Sequence, residues 1–148
     1  MNIKDKTNIA DHNTWTGTDY LKNTTQYESS PNMNIESSHN FSTNGEYSLK
    51  ITANETKYNG VQLGLFSANA NEIYTAKIDI LNNTNNTVQL RIQELNNGVY
   101  NTIDIPSNTN TQTVTITRTV TGADTLLLTL IIRAPLTVYI DNVQVNKR

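Results

Sequence analysis

Apolar and polar residues alternate one by one through most of the chain beyond residue 45. Tyr47, Leu49 and Ile51 share one phase, between Ser48, Lys50 and Thr52. Tyr74, Ala76, Ile78 and Ile80 alternate against Thr75, Lys77 and Asp79, and Val88, Leu90 and Ile92 against Gln89, Arg91 and Gln93. Val114 and Ile116 stand between Thr113, Thr115 and Thr117. A strand sends successive side chains to opposite faces, so a period of two predicts half-buried strands. Further short strands are expected over 61–65, 100–105 and 137–145. Leu126, Leu128, Leu130 and Ile132 make the most apolar strand, which is expected at the centre of a sheet, with Val138 and Ile140 closing the core. No segment keeps a helical stripe over three turns.

Turn residues punctuate these runs. Asn44-Gly45, Asn59-Gly60, Asn96-Asn97-Gly98 and 121–124 read as turns, 82–87 as a polar hairpin loop, and Ala134-Pro135 as a strand terminator. Residues 1–45 are polar and irregular. Residues 11–15 are a candidate first edge strand, and 22–40, with Pro31, reads as a long loop crossing the domain. The whole predicts an all-β fold, a jelly-roll-like sandwich of two antiparallel sheets, with an eight-stranded barrel as the structural alternative. Residues 1–10 are expected as an N-terminal extension and 11–148 as one domain.

Composition agrees with a polar β protein. Of 148 residues, 36% are apolar and only 16% charged, and Asn and Thr fill the difference. The formal net charge is −2 and no Lys/Arg cluster exists, so no electrostatic footprint for nucleic acid is present. The longest apolar run is too short to cross a membrane. Without cysteine there are no disulfides and no thiolate metal sites. The segment Met1 to Lys6 leads into no long apolar stretch and does not read as a signal peptide. The carboxylates are scattered, no Ser-His or His-metal arrangement occurs, and no Gly-rich phosphate loop follows a strand. Catalysis therefore has no support in the sequence.

Three stretches resemble a known family. Gly45-Glu46-Tyr47-Ser48-Leu49-Lys50-Ile51 is similar to a Gly-x-Tyr-Ser-Leu-x-Val strand. Asn71-Glu72-Ile73-Tyr74 is similar to a Gly-x-x-Tyr strand, with Asn71 where the usual Gly stands. Val138-Tyr139-Ile140-Asp141-Asn142-Val143 is similar to a closing hydrophobic-Asp-x-Val strand. In order and spacing they resemble carbohydrate-binding modules of the xylan- and cellulose-binding jelly-roll superfamily, a galactose-binding-like sandwich. The resemblance implies a concave binding face and often a structural calcium ion. It places Asp141 as a calcium ligand, backbone oxygens of Gly45 and Glu46 beside it, and Asp11 as the early acidic partner. The alternative for Asp141 is a local turn cap.

Sugar binding needs an aromatic plate for the apolar face of a pyranose and planar polar groups for its hydroxyls. Gln89, Arg91 and Gln93 share one outward phase, Lys77 and Asp79 another, and Gln62 a third. If these strands adjoin, they line a polar groove, with Tyr58, Tyr100 and Trp15 as candidate aromatic plates. The competing readings are a cross-strand Arg91–Asp79 pair on a solvated sheet and a core role for Trp15. Tyr47 and Tyr74 read as core residues. The expected function is non-catalytic binding of a cell-surface or cell-wall polysaccharide, reinforced by repetition on an oligomer or particle. A short chain starting at Met fits a phage or virion component, and surface adhesion is the related setting. The second hypothesis is a structural virion or surface assembly domain that contacts only protein, through Thr113, Thr115, Thr117 and Tyr139.

Overall fold

The computed structural model describes residues 2–5, 26–27, 33–43 and 48–147. The expectations for Asp11, Trp15, Gly45, Glu46 and Tyr47 fall outside the described residues. Two antiparallel sheets face each other. One has the order β3 (Asn34–Ser38), β4 (Ser48–Ala53), β11 (Leu136–Lys147), β6 (Ile73–Leu81) and β9 (Gln112–Thr119), with β1 (Asn2–Asp5) also paired on β11. The other has the order β2 (Gln26–Tyr27), β5 (Asn59–Ala68), β10 (Asp124–Ile132), β7 (Val88–Glu94) and β8 (Tyr100–Ile105).

The alternation sets the core. Ile78, Ile80, Leu90, Ile92, Leu126, Leu128, Leu130, Val138 and Ile140 are all fully buried between the sheets. The predicted central position of the Leu-rich strand holds: β10 lies between β5 and β7. Tyr74 is buried as expected, and its hydroxyl donates to the Ser67 carbonyl (3.1 Å) and to Glu72 Oε1 (3.2 Å).

Two of the family-like positions have a backbone reason. Asn71, where the resembling strand carries Gly, has φ of 70°. Asn is among the few side chains that tolerate this left-handed region, so it replaces Gly there at low cost. Asn142 has φ of 53°, at a bulge where the β11–β6 register shifts between Asp141 and Gln144. The bulge re-aims the chain after Asp141.

Four expectations are corrected. The segment 22–40 is not a single loop, because it contributes β2 and β3, and Met33 and Ile35 enter the core from its apolar positions. Asn59-Gly60 is not a turn but the start of β5. The bend precedes it, and the Asn59 carboxamide closes it by donating to the Glu55 and Lys57 carbonyls (3.2 and 2.8 Å). Residues 1–10 are not wholly an extension, since Asn2–Asp5 pairs with β11 at Gln144, Val145 and Asn146. The loop over 82–87 is not a hairpin: it carries the chain from β6 in one sheet to β7 in the other. Asn82 is fully buried and holds this arch by donating to the Asn86 and Ile105 carbonyls (2.8 and 3.1 Å).

Candidate functional site: the outward face of the five-stranded sheet

Because β7 alternates strictly, Gln89, Arg91 and Gln93 all point away from the core. Register then fixes their neighbours. Gln62 on β5, Thr129 on β10, Arg91 on β7 and Thr102 on β8 form one row across the sheet. Gln93 lies opposite Tyr100, and Gln89 opposite Asp104, to which its amide donates at 2.8 Å. The Arg91 guanidinium sits 4.0 Å from the Tyr100 ring centre. Arg133, just past β10, approaches the Tyr58 ring at 5.3 Å and donates to Gln89 Oε1 at 3.4 Å. Thr87, Gln89, Asp104, Ile131 and Arg133 line a cleft of about 280 Å³ at this end.

The floor of this face is apolar. Leu127 and Ile131 share the outward phase of β10 with Thr129, stand opposite Gln93 and Gln89, and are 2% and 1% exposed. Leu65, beside Leu127, is 49% exposed. Thr129 Oγ1 and Arg91 Nε are buried polar atoms with no hydrogen-bond partner among the described residues. Sequence reasoning passed over Leu65, Leu127, Thr129, Ile131 and Arg133. The available signal was that β10 is apolar in both phases, a strand whose outward side is also covered.

Five expected site residues, Gln62, Gln89, Arg91, Gln93 and Tyr100, therefore belong to one sheet, and Tyr58 immediately precedes its strand β5. Lys77 and Asp79 do not join them. They lie on β6 in the opposite sheet, because the 82–87 arch sends β7 across the core. The alternative Arg91–Asp79 pair fails for the same reason.

Asp79 instead lies directly opposite Asp141. Both are buried, at 8% and 2% exposure, on the outward phase of the six-stranded sheet. Thr43 binds both: its amide donates to Asp141 Oδ2 (2.8 Å) and its hydroxyl to Asp79 Oδ2 (2.6 Å). Thr113 donates to Asp79 Oδ1 (2.8 Å), the Asn142 amide to Asp141 Oδ1 (2.8 Å) and its side chain to Asp79 Oδ2 (3.3 Å). Thr113 and Tyr139, expected at a protein interface, are engaged within the chain. Thr113 serves Asp79, and Tyr139 packs on Phe41 with ring centres 5.9 Å apart.

Glu94 is a third polar cluster, hidden in the core phase of β7 and 0% exposed. Arg118 of the facing sheet directs Nε and Nη2 at Oε2, both at 2.7 Å. Oε1 accepts from the Thr121 amide (3.1 Å), the Thr121 hydroxyl (2.7 Å) and Asn97 Nδ2 (2.9 Å). Burial pushes the Glu94 carboxyl up, but the bonds from Thr121, Asn97 and Arg118 outweigh it and bring the pKa down to about 2. This group clasps one sheet to the other. His39 is exposed and belongs to none of these clusters.

No protein-family profile and no curated protein matches the sequence. Solved structures do match its fold. The xylan-binding family 22 carbohydrate-binding module of Paenibacillus barcinonensis Xyn10C superposes with a TM-score of 0.63 at 13% identity, covering 84% of this chain and 85% of that one. A family 61 module, TmCBM61, in complex with β-1,4-galactotriose gives 0.61 at 10% identity over 100% of this chain and 99% of that one. The enzymatically active domain of bacteriophage CBA120 tailspike protein 4 gives 0.70 at 12% identity, covering 99% of this chain but only 21% of that one. An arabinose-bound family 51 α-L-arabinofuranosidase gives 0.71 at 13% identity, and the chain spans 25% of its length. The fold is thus a jelly-roll sandwich of two antiparallel sheets, similar to that of these carbohydrate-binding modules, as the sequence motifs implied.

Proposed function

We propose that this chain is a non-catalytic carbohydrate-binding module that holds a cell-surface or cell-wall polysaccharide on the outward face of its five-stranded sheet. The observation that carries this is the row Gln62, Thr129, Arg91 and Thr102, with Tyr100 and the exposed Leu65 beside it. It combines planar hydrogen-bonding groups with apolar surface, as a pyranose requires. The xylan-binding and galactotriose-bound modules of the same fold support the ligand class. A single shallow site binds weakly, so useful affinity comes from repetition in an oligomer or particle. The tailspike match favours a phage or surface-adhesion setting outside the cell.

Calcium is the companion proposal. Calcium takes six to eight oxygen ligands, and Asp79 and Asp141 supply adjacent carboxylates. Among the described residues no third acidic or His side chain completes a metal cluster. Gly45 and Glu46, implied as backbone donors, closely follow Thr43 in the chain. An ion here would tie β6 to β11 without taking part in chemistry.

A glycan array with purified protein tests the binding reading. Binding to a defined polysaccharide is expected to fall by about tenfold in Tyr100→Ala, which removes the ring that holds Arg91 in place on this face. Lys77→Ala, on the other sheet, is expected to bind as wild type. No binding by the wild-type protein would sink the proposal. A second reading, an assembly domain contacting only protein, is favoured by exposed Leu95, Val99 and Ile103 near the free edge of β8. A stable oligomer that binds no glycan would support it.

A further inference from the structure

Resting on the glycan-binding reading, we infer that the polysaccharide is acidic and that its carboxylates seat on the N–H edges of Arg91 and Arg133. The ion pairs among the described residues are Glu36–Lys50, Glu55–Lys57, Glu94–Arg118 and Glu72–Lys147. Arg91 and Arg133 take part in none of them, and both lie on the candidate binding face. A guanidinium left without a carboxylate there is available to an incoming one.

The way the two arginines are held leaves that edge usable. Arg91 lies 4.0 Å from the ring centre of Tyr100, and Arg133 5.3 Å from that of Tyr58. A cation–π contact engages the flat face of a guanidinium and leaves its rim of N–H donors free to meet a planar carboxylate in fork geometry. The Arg91 Nε–H is buried with no acceptor among the described residues, so an incoming carboxylate meets Arg91 at its Nη groups. Arg133 has only the 3.4 Å contact to Gln89 Oε1. Packing on tyrosine also fixes both side chains, which lowers the entropy lost when a ligand arrives.

Asp104 is the single acidic residue in the outward phase of β5, β7, β8 and β10. Gln89 occupies it through a 2.8 Å hydrogen bond. Arg91 and Arg133 thus stand near a single outward carboxylate on these four strands, in a chain whose formal net charge is −2. This local excess of guanidinium favours an anionic chain.

Affinity electrophoresis through gels containing polygalacturonate, dextran sulfate, xylan or galactan tests the inference. Polygalacturonate is expected to retard the wild-type protein most. Arg91→Gln and Arg133→Gln should each weaken that retardation by about tenfold, the scale of one lost charge-assisted hydrogen bond, with melting temperatures unchanged. Equal or stronger retardation by xylan or galactan would overturn the acidic assignment and leave the glycan-binding reading standing. Preference for dextran sulfate would assign sulfate as the anion and overturn the carboxylate. Retardation by none of the four would overturn the inference and count against the glycan-binding reading itself.

Discussion

Glu94→Ala is expected to destabilise the fold by about 3–5 kcal/mol, measured by urea denaturation at pH 7. The carboxylate is 0% exposed and accepts from Arg118, Thr121 and Asn97. Its removal leaves a partly buried guanidinium and several donors without their acceptor, which costs more than the lost contacts alone. The melting temperature should fall on the order of 10 °C. The pH dependence gives a separate check. The Glu94 pKa drops from 4.5 to about 2 on folding, so its contribution is fully present above about pH 4.5 and is lost as pH falls toward 2. The stability gap between wild type and Glu94→Ala should therefore narrow across that window. A gap below 1 kcal/mol at pH 7, or one that does not change between pH 5 and 2, would contradict the clasp.

Calcium is expected to raise the melting temperature of the wild-type protein by several degrees, and Asp79→Asn to abolish that response. A ligand at one hundred times its Kd stabilises by about 2.7 kcal/mol, or roughly 5–10 °C for a chain of this size. Asp79 and Asp141 are buried at directly opposite positions of β6 and β11. The variant without calcium should melt somewhat below wild type, because Asp79 accepts from Thr43, Thr113 and Asn142 and an amide loses part of that set. A calcium response present in wild type and absent in the variant separates a metal site from a hydrogen-bonded turn. Melting curves of wild type that ignore calcium and chelator alike would remove the ion from the account.

The strands were legible because burial on one face imposes a period of two, and nothing in β6, β7, β9 or β11 competes with it. Their assignment to sheets was not. A six-residue polar loop such as 82–87 serves a hairpin or an arch equally well, and only the burial of Asn82 against the Ile105 carbonyl distinguishes them. That ambiguity moved Lys77 and Asp79 onto the wrong face and concealed the Asp79–Asp141 pair. The short strands β2 and β3 were hidden by Asn- and Ser-rich surroundings that resemble loop. Glu94 was overlooked since a carboxylate in a core phase reads as a break in the pattern, and its partner Arg118 comes from a distant strand. That Arg91, Gln93 and Tyr100 lie close together was legible because the alternation of β7 and the register of its hairpin with β8 are both local properties.

The most direct test of the glycan-binding face is an amide chemical-shift titration of the labelled protein with the polysaccharide that it retains best. The expected result is a contiguous set of shifts at Gln62, Gln89, Arg91, Gln93, Tyr100 and Thr129, with Lys77, Thr115 and Thr117 unmoved. Shifts confined to the six-stranded sheet, around Lys50, Lys77 and Thr117, would contradict it.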